Sequence, residues 1–243
     1  MTDADLAASI AREAGDLLVR IRDERREEGK ALGKRGDAEA NALILSRLRT
    51  ERPGDFVLSE EAQDDQARCT VDRVWIVDPL DGTREYGEGR DDWAVHVALS
   101  IGGRPAIGAV AMPGLDRVFV SNGVEVPGAA PARLRMVVSR TRPPDIAVKL
   151  AEALDAELIP MGSAGAKAMA VVDGRADIYV HAGGQYEWDS CAPVAVALGA
   201  GLHASRIDGS PLIYNRADVS LPDLLICRPE HSAALLTLIA GAE

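Results

Sequence analysis

Six consecutive residues, Asp78-Pro79-Leu80-Asp81-Gly82-Thr83, set two carboxylates around a proline and follow them with a glycine and a hydroxyl. The apolar run at residues 74–77 before them reads as a short buried strand. Pro79 cannot continue a strand ladder and Gly82 permits a tight turn, so the strand is expected to break here and present Asp78 and Asp81 from one corner. The amides of Gly82 and Thr83 can then hold an anion. Two hard oxygen donors beside an anion-binding turn are the chemistry of a divalent cation and a phosphate. Taken alone, the stretch is equally an Asx turn with two solvated aspartates. Other acids shift that balance. Glu60 follows an expected strand at residues 56–58, and residues at the carboxyl ends of neighbouring strands can converge on one cleft. Asp189 opens an expected helix behind Trp188. Cysteines and histidines are not clustered, so nothing here reads as a zinc site.

The run Asp78 to Thr83 resembles the D-P-x-D-G-T signature of the lithium-sensitive, magnesium-dependent phosphatases. That superfamily comprises the inositol monophosphatases, fructose-1,6-bisphosphatases and 3'(2'),5'-bisphosphate nucleotidases. Ser59-Glu60-Glu61 resembles its upstream G/S-E-E element, and Glu187-Trp188-Asp189-Ser190-Cys191-Ala192-Pro193 its W-D element. Order and spacing agree across residues 6–239. The resemblance implies an α+β or α/β chain folded as the layered α-β-α-β-α sandwich of that superfamily. It implies a metal site of Glu60, Asp78, Asp81 and Asp189 with the backbone carbonyl of Leu80, holding two or three Mg2+ ions. Glu60 would bridge two cations, and Glu61 would support the ligands from behind. Asp37 and Thr83 would position the attacking water, and the Gly82 and Thr83 amides would bind phosphate oxygens. Lys34-Arg35-Gly36-Asp37 departs from the commoner V-T-x-A-D approach to that aspartate. Lithium inhibition is implied as well.

A second resemblance narrows the substrate. Ser163-Ala164-Gly165-Ala166-Lys167 is similar to the G-A-G-N-K or G-S-S-L-K segment of the CysQ-type bisphosphate nucleotidases. Val138-Ser139-Arg140 is similar to their V-S-R segment, with Thr141-Arg142 where a histidine often follows. The implied reaction is hydrolysis of 3'-phosphoadenosine 5'-phosphate to AMP and phosphate, with side activity on fructose-1,6-bisphosphate and inositol phosphates. Ser139, Arg140, Ser163, Gly165 and Lys167 would face the substrate, Lys167 reaching its second phosphate.

The chain of 243 residues is long enough for one large domain or two tightly joined halves, here expected at 1–130 and 131–243. A net charge of −11 argues against a partner made of nucleic acid polymer, and a small phosphorylated substrate is still admissible because metal ions supply positive charge locally. Three separated cysteines read as reduced thiols, which points to the cytoplasm. No apolar stretch has the length of a membrane span. A homodimer is the expected assembly.

The elements that must position these groups follow from periodicity. Residues 4–28 read as a helix capped by Thr2 or Asp3. Residues 29–36, with three glycines, read as a loop before a second helix whose N-cap is Asp37. Residues 64–68 read as a surface loop and 86–92 as a mobile one. Strands at 93–101, 106–112 and 117–120 form an antiparallel meander, with His96 as a satisfied core histidine. A link is expected at 123–131. Beyond it come strands at 134–138, 157–160, 176–181 and 224–227, and helices at 145–154, from the Gly162 turn to 173, at 189–199 and at 232–239.

Overall fold

The computed structural model describes residues 1–124, 128 and 131–241. The expected link at 123–131 lies mostly outside these residues. β1 (Phe56–Ser59), β2 (Arg73–Asp81), β3 (Ala94–Ile101), β4 (Arg104–Met112) and β5 (Arg117–Val120) lie side by side in chain order. β1 pairs parallel with β2, and the remaining pairs are antiparallel. Both faces of this sheet are apolar, as alternate residues must be when each side is covered. Trp75, Val77, Val95, Val97 and Leu99 face the helices α1 (Asp3–Asp23) and α2 (Gly29–Glu51). Val74, Ile76, Ala94 and Ala98 face the other way.

Two alanine-rich helices, α5 (Ala164–Val172) and α6 (Glu187–Gly199), fill the middle layer. Their far side meets a second sheet of β6 (Arg135–Ser139), β7 (Glu157–Met161), β8 (Ile178–Ala182), β9 (His203–Ser205) and β10 (Asp223–Cys227), in the order β7-β6-β8-β10-β9. Val137, Tyr179, Leu224 and Ile226 face the middle layer. Met136, Val138, Ile178, Val180, Leu225 and Cys227 face the outer helices α4 (Asp145–Ala153) and α7 (Pro229–Ala240). The result is the layered α-β-α-β-α sandwich expected from the sequence. No helix among the described residues is long and apolar enough to cross a membrane.

Several local expectations need correction. α1 is capped at Thr2 as expected, its hydroxyl accepting from the Asp5 amide at 3.1 Å, but it stops at Asp23. Arg25 then turns the chain with φ +51°. The supposed loop at 29–36 is the first part of α2, and Asp37 is a buried mid-helix residue rather than an N-cap. Gly33 and Gly36 are there for close approach and do not break the helix. A Cβ on Gly33 would lie 2.6 Å from the Thr83 side chain, and one on Gly36 would lie 2.9 Å from Leu18. β2 does not end at Pro79; it bulges between Asp78 and Asp81 and continues. Residues 66–70 form a 3-10 turn with Arg68 fully buried. The segment after Thr83 begins as a short helix, α3 (Thr83–Gly87), whose Tyr86 hydroxyl donates to Leu18 O at 2.7 Å.

Candidate active site

Asp78 shares a β2 face with Val74 and Ile76 and therefore points into the middle layer. Its carboxylate accepts from the Leu80 amide at 3.0 Å, the Asx geometry that turns the chain through the bulge. The bulge redirects Asp81 to the same region. Both middle-layer helices begin here. Asp81 accepts from the first two amides of α5, Ala164 at 3.1 Å and Gly165 at 2.6 Å. Asp189, in the first turn of α6, accepts from the Tyr186 amide at 2.7 Å. Helix N-termini favour negative charge, so this junction is where three aspartates can be held together. One oxygen from each of Asp78, Asp81 and Asp189 lies within 4.8 Å of the others.

The electrostatics match that crowding. Burial and then the charges of Glu60 and Asp81 push the Asp78 carboxyl well above the carboxylate range. Burial and Asp81 raise Asp189 to about 7. Burial works to raise Asp81 too, yet the facing His96, the Gly165 amide and Lys167 hold it down at about 2. Glu60, at the exit of β1 on the solvent side, is raised by desolvation and by Asp81 but stands outside the tight trio.

Thr83 joins this cluster to α2. Its hydroxyl lies 3.0 Å from Asp37 Oδ2 and 3.1 Å from Leu80 O. Among the described residues, Asp37 Oδ1 is buried without a partner. Desolvation, then the neighbouring Glu61, raise the Asp37 carboxyl to about 7. Gly82 takes φ +87°, and a Cβ on it would lie 2.9 Å from the Ser163 side chain.

Of the residues expected to face a substrate, Gly82, Ser139, Arg140, Ser163 and Lys167 line one cleft of about 270 Å3 together with Asp81 and Asp189, whereas Thr83 and Gly165 are not part of its lining. In this structure their partners are groups of the protein itself. Ser163 caps α5 by accepting from the Ala166 amide at 2.8 Å. The Gly165 amide is engaged by Asp81, and a Cβ on Gly165 would collide with His96 at 2.2 Å. Ser139 accepts from the Arg142 amide at 3.2 Å. Arg140 donates to Glu85 and to Glu88, each at 2.8 Å. Lys167 is nearly buried; its ammonium donates to Gly162 O and, at 2.7 Å, to Ser163 O, above the Tyr179 ring.

Three contributors to the site went unread in the sequence. Asn41, one turn beyond Asp37, accepts from Ser59 at 2.8 Å and donates to Glu61 O at 3.3 Å, which fixes the acidic loop. Its i+4 spacing from Asp37 on one helix face was the available signal, hidden by the misplaced helix start. His96 is in the core but is more than core. Its Nδ1 donates to Trp188 O at 3.0 Å, and its Nε2 stands 3.3 Å from Asp81 Oδ2. Glu85 shows no sign in sequence of its pairing with Arg140, which is 55 residues away.

A model of the inositol monophosphatase family matches residues 3–240. A Mycobacterium leprae protein named 3'-phosphoadenosine 5'-phosphate phosphatase is 54% identical, covering 98% of this chain and 94% of its own. The 3'(2'),5'-bisphosphate nucleotidase CysQ of Escherichia coli strain K12 is 30% identical over 86% of this chain and 93% of its own. The crystal structure of CysQ from Bacteroides thetaiotaomicron superposes with a TM-score of 0.80 at 26% identity, over 93% of this chain and 97% of that one.

Proposed function

The chain belongs to the inositol monophosphatase family, and we propose that it is a Mg2+-dependent phosphatase removing the 3'-phosphate of 3'-phosphoadenosine 5'-phosphate, with AMP and inorganic phosphate as products. The choice of substrate is supported by the 54% identity with a relative of that name. The reaction type is supported by one observation above all. Beside three converged aspartates, the Thr83 hydroxyl is bonded to an Asp37 whose other oxygen has no partner.

Asp78, Asp81 and Asp189, with Glu60 and the Leu80 carbonyl, would hold two or three Mg2+ ions, since the donors are all hard oxygens. Bound there, the ions would supply charge neutralisation at the phosphate and leaving oxygen and a more acidic water. The chain's own residues do the rest. Thr83 Oγ1 accepts a hydrogen bond from the water while its own proton is directed to Asp37 Oδ2. Burial raises the Asp37 carboxyl above the ordinary carboxylate range, which suits it to receive that proton. The Gly82 and Thr83 amides hold phosphate oxygens in line with the water. Ser163, Ala164 and Gly165 act through Asp81, which their turn keeps ionised and oriented. Lys167 and Arg140 place positive charge on the cleft wall, where a second phosphate would lie.

The test is phosphate release from 3'-phosphoadenosine 5'-phosphate, fructose-1,6-bisphosphate and inositol 1-phosphate, each with and without Mg2+. The highest kcat/KM is expected on the nucleotide. A higher value on either of the other two would overturn the substrate, and no Mg2+-dependent release on any would overturn the reaction.

A further inference from the structure

Arg68 is a charged residue with no exposed surface, in the segment between Glu60 and Asp78 but absent from every motif above. All of its guanidinium nitrogens are used. Nε and Nη2 form a fork on Asp64 at 2.6 and 2.8 Å. Nη1 donates to Asn215 Oδ1 at 3.0 Å, and Nη2 also donates to Arg216 O at 2.9 Å. Asn215 answers by donating from its side chain to Arg68 O at 3.0 Å and Val71 O at 3.1 Å. Asn215 is held in the left-handed region at φ +61°, and this aims its amide and the next one at Glu187. Those amides reach the two Glu187 carboxylate oxygens at 2.7 and 2.8 Å. Glu187 is itself fully buried and is the first residue of α6; Asp189 is two residues on.

The chain of contacts therefore runs from the loop that follows Glu60 to the helix start that carries Asp189. We propose that Arg68 is a positioning residue for the metal centre. It locks the Glu60 loop and the first turn of α6 into one unit through Asn215 and Glu187. Its planar fork suits this role, since it can meet a carboxylate, a side-chain amide and a carbonyl at once; a lysine ammonium cannot. The proposal rests on the reading of the acidic trio as a Mg2+ site. Supporting groups behind metal ligands commonly set affinity by roughly 10- to 100-fold.

The experiment measures the Mg2+-induced rise in Tm of the substrate-free protein, together with kcat as a function of Mg2+. Arg68→Met removes the hub. Asn215→Gly keeps the backbone turn and the amide to Glu187 but loses the side-chain contacts. Arg228→Met is the control: it removes another buried arginine, one that follows β10 and holds Asp177 at the start of β8. Arg68→Met and Asn215→Gly are expected to raise the half-saturating Mg2+ by at least about tenfold in both readouts, with kcat recovering at saturating Mg2+. Arg228→Met should lower Tm without moving the Mg2+ requirement. If Arg68→Met does not fold, Asn215→Gly alone decides. Variants that lose Tm with an unchanged Mg2+ requirement, or an equal shift in Arg228→Met, overturn the proposal. A wild-type chain with no Mg2+-induced rise overturns the metal reading itself, and the positioning role with it.

Discussion

Residue by residue, the proposed mechanism separates groups whose charge must be neutralised from groups that handle a proton, and it assigns Asp37 and Thr83 to the second kind. Asp37→Asn should lower kcat by roughly 10²- to 10⁴-fold while leaving the Mg2+ requirement nearly unchanged. Thr83→Val should do the same, and the double variant should be little worse than either, because two members of one relay are not additive. Steady-state kinetics on the three variants checks this; fully additive losses would mean that the pair does not act as a unit. Gly165→Ala is a steric test. Its Cβ would meet His96 at 2.2 Å and Asp81 at 3.1 Å, so either His96 or the Asp81 ligand must move. A raised half-saturating Mg2+ is expected, measured by activity titration. An alanine variant with wild-type Mg2+ dependence would show that the turn tolerates the shift.

Among the elements, the second sheet depends on a buried ion cluster that has no part in the chemistry. Asp177 enters β8 with no exposed side-chain surface and accepts from the Arg135 amide at 2.9 Å, from Arg135 Nε at 3.1 Å and from Arg228 Nε at 2.9 Å. Asp177→Asn leaves two arginines short of a counter-charge and should cost about 3–5 kcal/mol. Although burial works to raise it, the two arginines hold the Asp177 carboxyl below its ordinary 3.8. A lowered folded value stabilises above the unfolded one and is lost as pH falls through the folded one. Wild type should therefore lose Tm below about pH 4 more steeply than Asp177→Asn. Parallel curves would contradict the linkage. The sequence announced most of these elements, because β2, β3, β6, β8 and β10 are covered on both faces and so read as short, largely apolar runs bounded by turn residues. It misplaced α2, because Gly33 and Gly36 look like breakers when their role is to let Thr83, Leu18 and Tyr86 approach the helix. β9 has three residues, too few to carry a period. The convergence of Asp78, Asp81 and Asp189 was legible because these acids sit in short motifs. Arg68 was not, because its partners Asn215 and Arg216 lie 147 and 148 residues away and no local pattern records them.

For the molecule as a whole, the proposed metal site links ion binding to folding. With no cation, Asp189 and Asp37 are raised to about 7 and Asp78 higher than its usual range, so the folded chain retains protons that the unfolded chain releases. A raised folded value destabilises the fold as pH climbs from the ordinary carboxylate range towards the folded one. The chelator-treated chain should thus lose Tm between about pH 4 and 7, and the rise produced by Mg2+ should grow over the same interval because the ions bind the ionised forms. A Mg2+ effect that shrinks with rising pH would contradict this. The most direct test of the central claim is kcat/KM for phosphate release from 3'-phosphoadenosine 5'-phosphate by wild type and Asp78→Asn, each with saturating Mg2+ and with chelator. Asp78 is one of the three converged carboxylates and is almost wholly buried. The predicted result is Mg2+-dependent release by wild type, and a folded Asp78→Asn protein at least about 100-fold slower. Release that survives the chelator, or an Asp78→Asn protein within about tenfold of wild type, would contradict the account.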